Sequence, residues 1–183
     1  MLALKLVPYQ SSFLALFIAW RNEPLTVRHN PLQPMTSTEV AKMLESAGAD
    51  LSDLKKYETY RWFVALGTDI VGSVSLKNIS HSMGYAEIGY GIAEEHQRRG
   101  IATAAVGRLV DKVFAETRLR KLLAFVHDKN RPSCRVLEKL GFRQEGFLRE
   151  HYIINGNAEN EILYCLLRHE WQGKMPANQS HTL

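Results

Sequence analysis

Apolar positions along this chain recur with two periods, and the change from one to the other marks out its elements. Leu2, Leu4 and Leu6 alternate with other residues as far as Tyr9, which predicts a short strand with one apolar face. Ser11 or Ser12 can cap the helix that follows, whose predicted buried stripe is Phe13, Leu16, Phe17 and Trp20. Pro24, Pro31 and Pro34 then cut the chain into short pieces. From Thr36 to Ala47, the residues Val40, Met43 and Leu44 fall on one helical face, and Gly48 ends the run. The stretch from there to Glu58 is polar and acid-rich and is the least legible part of the chain.

Beyond it the pattern sharpens. "RWFVALG" and "IVGSVSLKNI" are strand-like runs joined at Thr68-Asp69, which reads as a hairpin. Gly84 to Ala93 predicts a third strand. Arg99 to Glu116 predicts a helix with Val106, Leu109, Val110 and Val113 as its apolar stripe and Arg108, Asp111 and Lys112 opposite. The continuous apolar run "KLLAFV" reads as a strand buried on both faces. In "NRPSCRVLEKLGF", Pro132 fits a first helical turn, Leu137 and Leu140 point inward and Gly141 stops the helix. Asn155-Gly156 between two strand runs is a type I′ hairpin signal. The order is strand, helices, three strands, helix, strand, helix, two strands: an α/β (mixed α+β) chain with a mixed sheet and helices on both faces. The strand before the long helix and the strand after it should run parallel, because a helical crossover joins them.

Bulk properties narrow the setting. At 183 residues the chain fits one domain, read as 1–173 with a polar, loose tail at 174–183. A chain of this size buries about 70% of its unfolded surface, so it needs neither metal nor disulfide for stability. The net charge of +4 is compatible with an anionic ligand, and the pI near 9.1 comes without a nucleic-acid-binding module or a long basic stripe. Cys134 and Cys165 lie far apart, which suits a reducing compartment. The apolar run Phe13 to Trp20 has eight residues, too few to span a bilayer, and "RNEP" follows it instead of a cleavage site. The expectation is a soluble cytoplasmic protein, monomer or homodimer, with no membrane and no direct nucleic-acid partner.

The chemistry concentrates at "HQRRGIA", between a strand and a helix. A glycine there lets backbone approach a ligand closely, and the helix start offers unpaired N–H groups and the positive end of a dipole. That is a cradle for a pyrophosphate, or else a solvated basic helix start. Neither a GxxxxGK[ST] loop nor a GxGxxG fingerprint is present. The seven histidines are scattered without metal-ligand spacing, so no catalytic metal is expected.

Gln97-Arg98-Arg99-Gly100-Ile101-Ala102 resembles the Q/R-x-x-G-x-G/A signature of the GNAT acyl-CoA N-acyltransferases. "AEIGYGI" looks like their fourth strand, and "NRPSCRVLEKLGF" like their later segment from Asn to Gly-Phe. The tail "EGFLREHYIINGNAENEILYCLL" is similar to the branch of ribosomal-protein N-terminal acetyltransferases, the Rim enzymes. The likeness runs from about Leu2 to Arg168. It implies a mostly antiparallel sheet of about seven strands with one parallel pair splayed at the coenzyme site. The activity it implies is transfer of acetyl from acetyl-CoA to a primary amine, by direct attack in a ternary complex. The resemblance assigns the pyrophosphate to the backbone amides of Arg98, Arg99, Gly100, Ile101, Ala102 and Thr103, counts Gln97 among the coenzyme-binding residues, and gives the pantetheine arm to Tyr90, Gly91 and Ile92. Asn130 would touch the coenzyme or a water, or cap its helix.

Only a neutral amine attacks. A lysine amine has a pKa of about 10.4 and a protein N-terminus about 8, so an N-terminal acceptor needs less help. Glu87 is the base candidate; alternation puts it on the face of Gly89 and Gly91, opposite Ile88 and Ile92. Solvent or a basic partner explains a strand carboxylate equally well. Many relatives carry a tyrosine acid seven residues after the asparagine, where this chain has Leu137, so Ser133 is the candidate for protonating the thiolate. Glu150 and Tyr152, on the penultimate strand, are candidate contacts for the acceptor. The leading acceptor is a protein N-terminal α-amine. The alternatives are a small amine (polyamine, amino acid or aminoglycoside) or a non-catalytic acyl-CoA-binding module.

Overall fold

The computed structural model describes residues 4–171 and 173; Leu2 and the tail 174–183 lie outside the described residues. β1 (Leu4–Val7) leads through a 3-10 turn at Ser11–Phe13 to α1 (Leu14–Arg21), α2 (Pro24–His29) and α3 (Ser37–Glu45). β2 (Tyr60–Leu66), β3 (Asp69–Ser80) and β4 (Tyr85–Ile92) follow. After them come α4 (Ile101–Glu116), β5 (Lys121–His127), α5 (Arg131–Lys139), β6 (Arg143–Ile154) and β7 (Asn157–Leu167). The seven strands form one sheet in the order β1-β2-β3-β4-β5-β7-β6. Only β4 and β5 pair parallel, the pair that α4 joins.

Alternation sorts the strand side chains into two layers. Ile88 and Ile92 of β4, Leu122, Ala124 and Val126 of β5, and Tyr164 and Leu166 of β7 pack with Val106, Leu109, Val110 and Val113 of α4 and Leu137 of α5. Each Val, Leu or Ile among them contributes roughly 1.5–3 kcal/mol on burial. On the opposite face Phe63 gathers the rings of Tyr9, Phe13, Phe17 and Trp20 at 5.2–6.3 Å, with Val40 and Leu44 of α3. That second cluster draws on β1, β2 and β3. The same face of β4, β5 and β7 mixes polar side chains, Glu87, His127 and Glu161, with the apolar Leu123, Phe125 and Leu163.

Several sequence expectations shift. Neither serine caps α1: both lie in the 3-10 turn, and Phe13 holds the cap position without a side-chain bond. That turn rotates the stripe, so Phe13, Leu14, Phe17 and Ile18 face the sheet and Leu16 is left 41% exposed. Pro24 starts a helix of its own instead of only breaking one, since a missing N–H costs nothing in the first turn. β5 is buried on one face only; Leu123 and Phe125 are half-buried on the other. α4 begins at Ile101, not Arg99, because Arg98 and Gly100 adopt φ of 60° and 75°, which no α-helix holds. The Asn155-Gly156 hairpin has φ of 50° and 80°, as a type I′ turn requires. Among the described residues, no helix is long and apolar enough to cross a membrane.

Candidate functional site

The parallel pair is short. β4 and β5 pair only at Tyr85–Lys121, Ala86–Leu122 and Glu87–Leu123, and then part. Beyond the split β4 stays bonded to β3 alone. Ala93 donates its N–H to the Val71 carbonyl at 2.9 Å, which sets the alternation. Glu87, Gly89 and Gly91 turn their backbone to β3, while Ile88, Tyr90 and Ile92 turn theirs into the gap. An extended ligand with amide groups can pair with such an edge as an added strand.

At the far end of β4 the chain makes a 3-10 turn at Glu94–His96 and enters the loop that begins α4. The Gln97 side chain donates to the Ile92 carbonyl at 2.9 Å, tying loop to strand. The first intrahelical bond runs from Ala104 N–H to the Gly100 carbonyl, so the amides of Ile101, Ala102 and Thr103 precede any helical acceptor. A side chain at Gly100 would meet nothing within 4 Å, so its φ is what demands glycine. The Arg99 guanidinium lies 3.3 Å from His96 Nδ1.

α5 closes the same side. Asn130 caps it, its Oδ1 accepting from Ser133 N–H at 3.3 Å. The Tyr90 phenol crosses from β4 to Ser133, 2.7 Å from its Oγ, and burial holds that phenol protonated far above its usual range. Leu137 is fully buried. Ser133 and Tyr90 are thus brought together, a pairing the sequence did not announce.

The polar face of the sheet forms the other wall. Glu87 does face it, with both oxygens engaged: one with Lys77 Nζ at 2.9 Å, the other with Asn78 Nδ2 at 2.6 Å. Glu161 is buried there beside His151, 2.6 Å away, and burial together with the Glu87 charge raises its carboxyl above the usual range. Tyr152 joins this group, its phenol held protonated by burial and by the carboxylates of Glu161, Asp128 and Glu159. Glu150 does not: it is exposed, at φ 50° in the β6 irregularity, with only its N–H bonded, to Asn160 Oδ1.

Across this face α2 spans the mouth of the split. Its start is tied to the end of β4, where Glu94 N–H donates to the Glu23 carboxylate at 3.2 Å and Glu94 accepts from Leu25 N–H at 2.8 Å. Its end is tied to the end of β5, where His29 Nδ1 lies 2.8 Å from His127 Nδ1. Beneath it opens a cavity of about 740 Å³, lined among others by Arg28, His29, His127, Lys129, Asn157 and Glu159. Behind Gly91, Arg61 lies over the Phe17 ring and reaches Ser73 Oγ at 3.3 Å. Among the described residues no carboxylate pairs with it or with Arg21, and burial, with Arg21 nearby, lowers the Arg61 pKa to about 10. His29, His127, Glu159 and Glu161 were missed from sequence. The alternation of Glu159 and Glu161 along the last strand was the one available signal.

With this geometry in place, similarity becomes informative. Residues 3–143 match the acetyltransferase (GNAT) domain family. The uncharacterized N-acetyltransferase p20 of Bacillus licheniformis is 28% identical over 152 residues, covering 83% of this chain and 85% of that protein. The spermidine N(1)-acetyltransferase of Escherichia coli is 32% identical over 130 residues, covering 68% and 70%. The crystal structure of the ribosomal-protein-S5-alanine acetyltransferase from Vibrio fischeri superposes with a TM-score of 0.77 at 26% identity, covering 92% of this chain and 94% of that one. The split parallel pair, the glycine-led helix start and the family match agree: this chain belongs to the GNAT family and is an N-acetyltransferase.

Proposed function

We propose that the protein transfers acetyl from acetyl-CoA to the α-amine of a polypeptide N-terminus. The pantetheine arm runs along Tyr90 to Ile92 and pairs with the backbone groups that Tyr90 and Ile92 turn into the gap, while Gln97 already donates to the Ile92 carbonyl. The pyrophosphate rests on the amides of Arg98 to Thr103. An N–H at the end of β4 polarises the thioester carbonyl as the tetrahedral oxyanion forms. The departing thiolate takes its proton from Ser133, which Tyr90 holds in place and which regains a proton from solvent. Asn130 keeps the first turn of α5 in register with the coenzyme. Glu87 contributes negative charge beside the incoming amine; with its two oxygens engaged, it must release Lys77 or Asn78 before it can accept a proton.

The observation that carries the acceptor class is the charge balance of the polar face. The carboxylates around the cavity are largely engaged already: Glu159 by Lys129 and His127, Glu161 by His151, and one oxygen of Asp128 by the Asn160 amide, the other Asp128 oxygen being buried without a hydrogen-bond partner among the described residues. Arg21, Arg28 and Arg61 add positive charge. A polycation gains little from such a surface, whereas a peptide with one α-ammonium and several carbonyls fits it. The likeness to a spermidine acetyltransferase favours a polyamine as the second reading. Acetyl transfer to a panel of N-terminal peptides and to spermidine separates the two. A higher kcat/KM for peptides is expected, and a preference for spermidine overturns the reading.

A further inference from the structure

The buried His127 has no part in the chemistry assigned so far, yet it is the middle of a hydrogen-bonded chain that ends in the cavity. Its Nε2 lies 3.2 Å from Glu159 Oε2, and Lys129 Nζ lies 2.6 Å from that same oxygen. Its Nδ1 lies 2.8 Å from Nδ1 of His29. Two ring nitrogens at that distance share one proton, so one donates and the other accepts. An ionised carboxylate only accepts, so His127 carries its proton on Nε2. In the neutral ring His127 Nδ1 is then bare, and it accepts from His29 Nδ1–H. That leaves Nε2 of His29 with a free lone pair, on a ring that lines the 740 Å³ cavity.

We infer that His29 is the proton acceptor of the acetyl transfer, and that His127 and Glu159 are positioning residues that fix its tautomer. The arrangement repeats the logic of a carboxylate orienting an imidazole through one of its nitrogens, lengthened by one ring. The step balances. The neutral amine attacks the thioester carbon, forming the N–C bond and an oxyanion. The surplus N–H proton passes to His29 Nε2. The oxyanion re-forms the carbonyl, the C–S bond breaks, and the thiolate takes a proton to give the free thiol, while His29 returns its proton to solvent.

Charge around His29 keeps it ready. Arg28 on its own helix, His127 and Lys129 from β5 and its following turn disfavour a proton, while Asp128 and Glu159 favour one; Tyr152 stays neutral. Burial first, then His127 and Arg28, lowers the His29 pKa below its ordinary value, so the ring is neutral and basic at neutral pH. His127, Asp128 and Glu159 offer ligand atoms within 4.8 Å of one another, a spacing that could attract a cation. Lys129 Nζ already pairs with Glu159 Oε2 at 2.6 Å, and the group reads as a proton chain.

The inference rests on the acetyl-CoA reading but not on which amine is the acceptor, so it is tested with any primary amine the protein acetylates. For the native protein, kcat/KM falls as pH drops through the lowered His29 value, on the acid side of an ordinary histidine. His29→Gln is expected to lower kcat at neutral pH roughly 10²–10³-fold and to abolish that acidic limb, with coenzyme A binding unchanged by titration calorimetry. His127→Asn and Glu159→Gln should keep the limb but move its midpoint, as positioning residues do. Nitrogen-15 imidazole shifts of the native protein give an amine-independent check: His29 protonated on Nδ1 and His127 on Nε2. A His29→Gln variant with native coenzyme affinity, unchanged kcat and an unchanged acidic limb overturns the inference, as does the opposite pair of tautomers.

Discussion

Gly100 and Arg98 both sit in the left-handed region, at φ 75° and 60°, and they differ in what they risk. Arg98 already accepts the strain of a side chain there, so Arg98→Ala leaves the backbone as it is and removes only a charge. A β-branched residue at position 100 has space but the wrong conformation, a cost of about 1–3 kcal/mol. If the loop amides hold the pyrophosphate, that strain appears as lost affinity. Gly100→Val should raise the Kd for coenzyme A roughly 5–150-fold by titration calorimetry, and Arg98→Ala by less. The reverse ranking would mean that the arginine side chains do the holding. The glycine-led loop before α4 was legible in sequence because a left-handed turn there favours glycine at a fixed place; that it cradles the pyrophosphate is the proposal. The histidine pair was not: its rings come from segments 98 residues apart, and one lies in the stretch broken by prolines.

Among the elements, β3 and β4 are held closest. A Cβ on Gly72 would lie 2.3 Å from the Gly91 carbonyl oxygen, so Gly72→Ala must push the two strands apart. Overpacking of this kind costs about 1–3 kcal/mol. Urea unfolding should show that loss, together with weaker coenzyme binding, because Gly91 and Ile92 shift with the strand. An unchanged urea midpoint would mean that the ladder has slack there. α2 supplies the pH-dependent case. The His29 pKa is lowered in the fold, so the unfolded chain binds its proton first as pH falls. The neutral ring's contribution is therefore complete above the ordinary value of about 6.5 and is lost as pH falls through the lower folded value. Thermal melting across that window should show a decline that His29→Gln flattens; equal slopes would mean that α2 docks independently of the pair. The strands and α4 were readable because their periods are clean. α2 was not, because six residues beginning with proline carry no period, and the helix exists through its two tethers to β4 and β5.

For the whole molecule, the coenzyme cleft and the core are not separate. The gap exists because β4 and β5 part after three residue pairs, so the native sheet keeps an unpaired edge there. On the proposed reading one extended coenzyme completes that edge and reaches β4, α4 and α5 at once, and only the folded chain holds them together. A ligand that binds the native state alone at 100 times its Kd stabilises it by about 2.7 kcal/mol. For a protein of this size each kcal/mol moves the melting temperature by about 2–4 °C. Saturating coenzyme A or acetyl-CoA should therefore raise Tm by roughly 5–11 °C, and adenosine alone, which cannot pair with the β4 edge, by less. A Gly72→Ala protein should show a smaller shift than the native one, since its edge is displaced. Equal shifts would place binding away from the split, and no shift with either coenzyme A or acetyl-CoA would remove the coenzyme from the site altogether.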